Sequence, residues 1–394
     1  MIKRKHYIEK IRGFYDSDLI KIITGIRRCG KSVVLNQIKE EIEQDGKNVL
    51  FLNFEDKRIS SKIQNWSDLL NYVEENTDKD KKWFLFFDEI QNIDGWQDAV
   101  KTLRLYNYSV FMTGSNSKLL SKEFTKELSG RYVAFRIYPF VYSEIKEYCQ
   151  QLGKECSVSD YLNWGGFPKR FEFNSQEEQI QYLNDLDEMI VIKDIIAKYK
   201  IRKEDEFRKL VDYVLVSNAR IFSSHSIADY MKSNGSRTSE NTIKKWLLYL
   251  EEAYVISSIP QYSTRTKNIL NFYKKIYNAD VFFNTIRQNR GKYDLSHNLE
   301  NIVYNELLYA GFELEVYDNR NKEIDFVAVK NNKTYFIQVA YTLAEDKAYD
   351  REFSAFEGLS IKDKKIIISN DDIDFSTSQI IHISFKDFLE NGIE

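Results

Sequence analysis

Proline is nearly missing from this chain, with three in 394 residues, and cysteine and histidine are almost as scarce at three and four. With Lys, Asn, Ile, Tyr and Phe abundant beside it, the scarcity of proline says nothing about mechanism. Cys29, Cys149 and Cys156 form no CxxC pair, which argues against a disulfide-stapled fold and fits a reducing compartment. His6, His225, His297 and His382 do not cluster, so a structural zinc site is not expected. No window of about 18 apolar residues exists, so no membrane span is expected. The basic start MIKRKHYIEKIRGFY has no apolar run after it and does not read as a signal peptide, which makes the cytoplasm the expected location. Neither charge dominates: 57 Lys and Arg face 60 Asp and Glu, a net charge of -3. Any nucleic-acid surface must therefore be local.

What is present begins with GIRRCGKS, Gly25 to Ser32, between the apolar LIKIIT and the helical pattern VVLNQIKEEIEQD. The spacing G-x-x-x-x-G-K-S is that of a phosphate cradle. Glycines let the backbone aim successive N–H groups at one centre, and the helix that follows adds its N-terminal dipole. Gly25, Arg27, Arg28, Cys29, Gly30, Lys31, Ser32 and Val33 are the candidate nucleotide contacts. Lys31 would reach the β- and γ-phosphates, and the Ser32 hydroxyl would ligate Mg²⁺.

KKWFLFFDEIQNIDGW supplies the matching acid. Trp83 to Phe87 reads as a strand covered on both faces, with Asp88 at its C-terminal end, where α/β sheets place ligands. Asp88 is the candidate Mg²⁺ ligand, and Glu89 is the candidate base for the attacking water. In YSVFMTGSNSKLL a further short strand ends in small polar residues. Ser115 or Asn116 would touch the γ-phosphate or the water, or would serve as ordinary turn and cap residues. Arg131, in LSGRY, is either a finger reaching a neighbouring subunit's ATP or a surface arginine paired on its own chain.

These stretches, with FFDEIQ, TGSNSKLLS, YPFVYSEI and the later YLNWGGFPKRF, resemble the prokaryotic AAA-type ATPases grouped with the archaeal ATPases. The resemblance implies ATP and Mg²⁺ as ligands, a P-loop fold with strand order 5-1-4-3-2, and assembly of several subunits, six by family habit. It also implies a C-terminal domain like the restriction endonucleases.

The fold class expected is α/β, in three parts. Residues 1–200 alternate strand and helix, with strands near 19–24, 48–53, 83–88, 109–113 and 132–137 and helices near 31–44, 66–75, 96–105 and 117–127. They form the AAA-type core, with helices from 141 to 200 as lid or linker. Residues 201–264 read as a winged helix-turn-helix. In it 206–222 is one helix, Ser224 to Ser226 cap a helix starting at Ile227, and Lys244 and Lys245 ride on the recognition helix. Residues 265–394 are the endonuclease-like domain. At its start, Arg265, Lys267, Lys274, Lys275, Arg287, Arg290 and Lys292 alternate with aromatics, which suits phosphate contact and base stacking. Glu300 and Asp325 stand at two of the positions of a nuclease metal site. The third should read Glu-x-Lys, but the chain has Gln338-Val339-Ala340, so nuclease activity is not expected unless Lys322 or Lys333 replaces the lost lysine. The functional expectation is ATP hydrolysis coupled to DNA binding or remodelling. A regulatory switch engaging proteins and an ATP-coupled nuclease are the alternatives.

Overall fold

In the computed structural model, which describes residues 1–114, 128, 130–260, 262, 274–288, 294–319 and 322–394, the apolar runs of the N-terminal half become strands. They are β1 (Ile20–Thr24), β2 (Asn48–Asn53), β3 (Trp83–Asp88), β4 (Tyr108–Gly114) and β5 (Tyr132–Arg136). The sheet order is β2-β3-β4-β1-β5, and all its pairings are parallel. From the other edge this reads 5-1-4-3-2, the order that the resemblance implied. β1 and β4 are buried throughout, and β3 from Phe84 onward. Phe86 stacks on Phe111 across the β3–β4 pair, with ring centroids 4.7 Å apart. Each such phenylalanine contributes about 2 kcal/mol by leaving water.

Helices Lys31–Gln44, Trp66–Asn76 and Trp96–Arg104 fall where the periodicity places them. Helix Trp66–Asn76 starts at a capping box. The Asn65 side chain accepts from Asp68 N, and the Asp68 carboxylate accepts from Asn65 N. The helix expected near 117–127 lies outside the described residues.

Contacts divide the chain into two units, 1–139 with 252–254 and 140–251 with 255–394. The helices after 141, expected with the first domain, pack inside the second unit instead. Glu306, on helix Leu295–Tyr309, accepts from Tyr142 N at 2.8 Å and from Tyr161 Oη at 3.1 Å. The Asp280 carboxylate accepts from Gly166 N at 2.7 Å. Each glycine of YLNWGGFPKRF has its own reason: a Cβ on Gly166 would stand 1.9 Å from Phe140 O, and Gly165 faces Asp280. Gly165 has φ 70°, and a Cβ there would stand 1.5 Å from Asp280 Oδ1. The following helix Gln176–Glu188 continues as π-helical turns over Met189–Ile196.

The middle of the second unit runs helix Glu204–Val216, β6 (Arg220–Phe222), helix Ser224–Ser233, helix Glu240–Glu252, β7 (Ile256–Ile259) and β8 (Lys274–Asn278). The three strands form an antiparallel sheet in the order β6-β8-β7. Two details differ from expectation. The run 206–222 is not one helix. It breaks at Asn218 and Ala219, where Ala219 has φ 57°, its N–H donates to Ile276 O, and the buried Asn218 amide oxygen accepts from Asn278 N. Pairing with β8 outweighs helix propagation there. The next helix begins at Ser224 rather than Ile227, because Ser223 is its cap and accepts from Ser226 N at 2.9 Å. β8 itself, expected to lie in the C-terminal domain, is the central strand of this sheet.

The remaining chain gives helix Leu295–Tyr309, then β9 (Glu313–Asn319), β10 (Lys322–Lys330) and β11 (Lys333–Ala340), followed by β12 (Lys364–Ser369) and β13 (Ile380–Ser384). β9, β10 and β11 pair antiparallel, and β11, β12 and β13 pair parallel. Among the described residues, no helix is long and apolar enough to cross a membrane.

Candidate nucleotide-binding site

The loop between β1 and helix Lys31–Gln44 is shaped by positive φ at three positions, Gly25 (142°), Arg28 (67°) and Gly30 (104°). Gly25 has no space for a side chain: a Cβ would meet Ile137 O at 2.2 Å. The loop thus turns back tightly onto the end of β5, as a phosphate cradle does. Lys31 is buried, and its Nζ donates to Ile26 O at 3.2 Å. Arg27 is half-buried and stands 3.8 Å from Glu55, whereas Arg28 is exposed. Cys29 differs from its neighbours. Its thiol is buried, donates to Ile137 O at 3.3 Å, and is pushed up by burial, so the side chain packs the loop. Val33 lies half-buried in the first helical turn.

Asp88 ends β3 and is 3% exposed. Its Oδ1 accepts from Ser32 Oγ at 3.0 Å and, in a short contact, from Thr113 Oγ1. Burial pushes the Asp88 carboxyl up, and those two hydrogen bonds oppose it. Glu89 sits in the left-handed region, with φ 54° and ψ 47°. Its N–H donates to Thr113 Oγ1 at 3.0 Å, and Gln91 Nε2 donates to its carboxylate. Thr113, at the end of β4, thereby ties both acids to one hydroxyl. Sequence reasoning passed over Thr113 and Gln91, although both lie inside the quoted motifs. Ser115 and Asn116 lie outside the described residues. Arg131 is exposed, and its carbonyl accepts from Ile20 N at 3.0 Å.

A third unforeseen contributor is Arg4, 1% exposed. Its Nη1 donates to Cys29 O and its Nη2 to Tyr138 O, each at 3.1 Å. The guanidinium lies 4.7 Å over the Tyr7 ring, and Tyr7 Oη accepts from Tyr138 N. The cradle is braced from beneath by helix Lys5–Arg12 and the residues before it. Only the apolar spacing of that helix signals this in the sequence.

Away from the cradle, Lys244 and Lys245 are exposed on helix Glu240–Glu252, with Lys244 2.9 Å from Glu240. Arg265 and Lys267 lie outside the described residues, and Lys274 opens β8. Lys275 corrects the expectation of a DNA contact. It is buried at 3% exposure, and its ammonium faces Glu300, Glu323 and Asp325. Neither lysine suggested as a replacement joins them: Lys322 pairs with Glu357, and Lys333 is exposed at the start of β11. Gln338 does reach Asp325, accepting from its N–H at 3.2 Å, while Ala340 is buried.

Comparison with known proteins places an AAA domain in the half of the chain that holds the cradle. Residues 17–146 match an AAA domain, and residues 156–289 match a domain of unknown function, DUF8612. An uncharacterized protein of Haemophilus influenzae is 32% identical over 94% of this chain and 93% of its own length. Uncharacterized protein MJ1544 of Methanocaldococcus jannaschii is 31% identical over 88% of this chain and 80% of its own. In structure, the Walker-type ATPase paby2304 of Pyrococcus abyssi shares the fold with TM-score 0.51 and 14% identity, covering 73% of this chain and 96% of that one. The chain therefore belongs to the family of the Haemophilus influenzae and Methanocaldococcus jannaschii proteins, with an AAA domain at its N-terminal end.

Proposed function

We propose that this protein binds ATP with Mg²⁺ and hydrolyses it, and that turnover is coupled to DNA held by the second unit. One observation carries the reading: Ser32 Oγ stands 3.0 Å from Asp88 Oδ1 at the mouth of the glycine-shaped loop, with Glu89 fixed beside it through Thr113. A hydroxyl and a carboxylate are hard oxygen donors, so Ser32 and Asp88 suit Mg²⁺. This ion is usually held by one or two protein groups plus phosphates. When bound there it would neutralise charge on the β- and γ-phosphates.

The loop N–H groups and the start of helix Lys31–Gln44 hold the phosphates. Lys31 exchanges the Ile26 carbonyl for phosphate oxygens. Glu89 takes a proton from water as the water oxygen attacks the γ-phosphorus. The bond to the bridging oxygen then breaks, leaving ADP and phosphate. Arg131, exposed, is available to a neighbouring subunit's nucleotide in an oligomer.

DNA contact is supported by the order helix, strand, helix, helix, strand, strand around an antiparallel sheet. That order supports reading 201–264, extended by β8, as a winged helix-turn-helix. The helix Leu295–Tyr309 and the strands after it support an endonuclease-like C-terminal domain without nuclease activity. A protein partner is the second reading. It is favoured by the pairing of candidate cations: Lys244 faces Glu240, Lys275 is buried, and Arg287 is held by Asp187 and Asp212.

The test is ATP turnover by Lys31→Ala with and without forked, branched and duplex DNA, followed by retention of wild type on DNA resin in a salt gradient. Turnover should be lost in the variant, and wild type should elute with rising salt. Normal turnover by the variant defeats the site assignment, and no retention at low salt leaves the protein-partner reading in place of DNA.

A further inference from the structure

The acids that resemble a nuclease metal site are occupied from within the chain. β8 delivers Lys275 into a space walled by Glu300 on helix Leu295–Tyr309 and by Glu323 and Asp325 on β10. Its Nζ lies 2.6 Å from Glu300 Oε1, 2.5 Å from Glu323 Oε1 and 2.8 Å from Asp325 Oδ1. The ammonium donates hydrogen bonds to Glu323 and Asp325 and is ion-paired with Glu300. Glu323 and Asp325, at alternate positions of β10, share one face of the strand, whose pairing with β9 is irregular between Ile324 and Val327.

The surroundings complete the arrangement. Tyr277 Oη donates to Glu300 Oε1 at 2.7 Å, and Val339 N donates to Asp325 Oδ2 at 2.9 Å. Gln338, where a nuclease would carry an acid, accepts from Asp325 N and donates to Glu352 at 2.7 Å. Glu352 in turn pairs with Arg351 at 2.6 Å. A buried ammonium needs polar partners to offset its lost hydration, and carboxylates also balance its charge. A divalent ion entering beside it would meet a positive charge in a medium of low dielectric.

We infer that Glu300, Glu323 and Asp325 form a cation site whose resident cation is the Lys275 ammonium, which excludes divalent metal and ties the β6-β8-β7 sheet to β10 and its helix. Three acids around one ammonium make the same demand on a cation as three acids around a metal, and the chain meets it covalently. The lysine comes from 50 residues before Asp325, from a different sheet, so the acids serve attachment rather than water activation. This stands independently of the ATP site.

The test is Mn²⁺ uptake by full-length protein without nucleotide, read by electron paramagnetic resonance of free Mn²⁺. Wild type and Asp325→Asn should take up the same amount. Lys275→Ala should gain one Mn²⁺ per chain, at least tenfold tighter than any wild-type binding, and lose it again in Lys275→Ala/Asp325→Asn. Greater uptake by wild type than by Asp325→Asn would overturn the inference, because metal would then bind with the lysine in place. A folded Lys275→Ala that takes up no additional Mn²⁺ would also overturn it. If Lys275→Ala fails to fold, Lys275→Met/Glu300→Gln, which removes one charge of each sign, decides. Recovery of folding supports the internal cation, and failure to recover refutes it.

Discussion

Replacing Thr113 by valine keeps the shape of a fully buried residue and removes one hydroxyl. That hydroxyl donates to Asp88 Oδ1 and accepts from Glu89 N, so a single substitution strips a donor from one acid and an acceptor from the other. A hydrogen bond to a charged group contributes about 1.5–3 kcal/mol, and an orphaned buried N–H costs about 1–3 kcal/mol. Asp88 keeps Ser32 as a partner, which limits its share of the loss. If about 2 kcal/mol falls on the arrangement needed for turnover, kcat/KM for ATP drops about 30-fold. The pH profile moves as well. Burial raises the Asp88 carboxyl, and Thr113 is the larger of the two hydrogen bonds holding it down, so the variant's acid limb shifts to higher pH. The assay is steady-state ATP hydrolysis across Mg²⁺ concentration and pH for wild type, Thr113→Val and Thr113→Ser, with thermal unfolding as the check on folding. Thr113→Ser should stay near wild type. A folded valine variant with turnover within twofold of wild type and an unmoved acid limb would refute the reasoning.

Arg4→Ala leaves the carbonyls of Cys29 and Tyr138 without their buried donor, at about 1–3 kcal/mol, and should weaken nucleotide binding about tenfold or more, measured by equilibrium titration with a fluorescent ATP analogue. Unchanged affinity would make the brace irrelevant to the cradle. Burial raises the Asp280 carboxyl from 3.8 to about 6, so its contribution to stability is present below pH ~4 and disappears as pH rises through ~6. That loss is worth about 3 kcal/mol. Asp280→Asn, compared with wild type in denaturant at pH 4 and pH 7, should lack this part of the pH dependence.

The AAA domain was legible in the chain because its chemistry is local. Gly25, Gly30, Lys31 and Ser32 lie on one turn between a strand and a helix, and Asp88 and Glu89 close an apolar run whose burial on both faces shows as unbroken hydrophobicity. Residue type and spacing sufficed there, and the parallel sheet followed from alternation of strand and helix. Other roles depend on partners far along the chain. Arg4 looks like one more cation in a basic start until the fold sets it under Cys29. The glycine at 165 gains its reason only when Asp280, far along the chain, enters the space a side chain would fill, and the one at 166 only when Phe140 O stands 1.9 Å from where its Cβ would be. Lys275 looked like a surface cation among aromatics because sequence reports a charge without its surroundings. Only the pairing of β8 in one sheet, beside the bulged β10 of another, sets its ammonium among Glu300, Glu323 and Asp325. Local hydrogen bonding and hydrophobic period are written in neighbouring residues, whereas burial of charge is decided by which distant segments fold together.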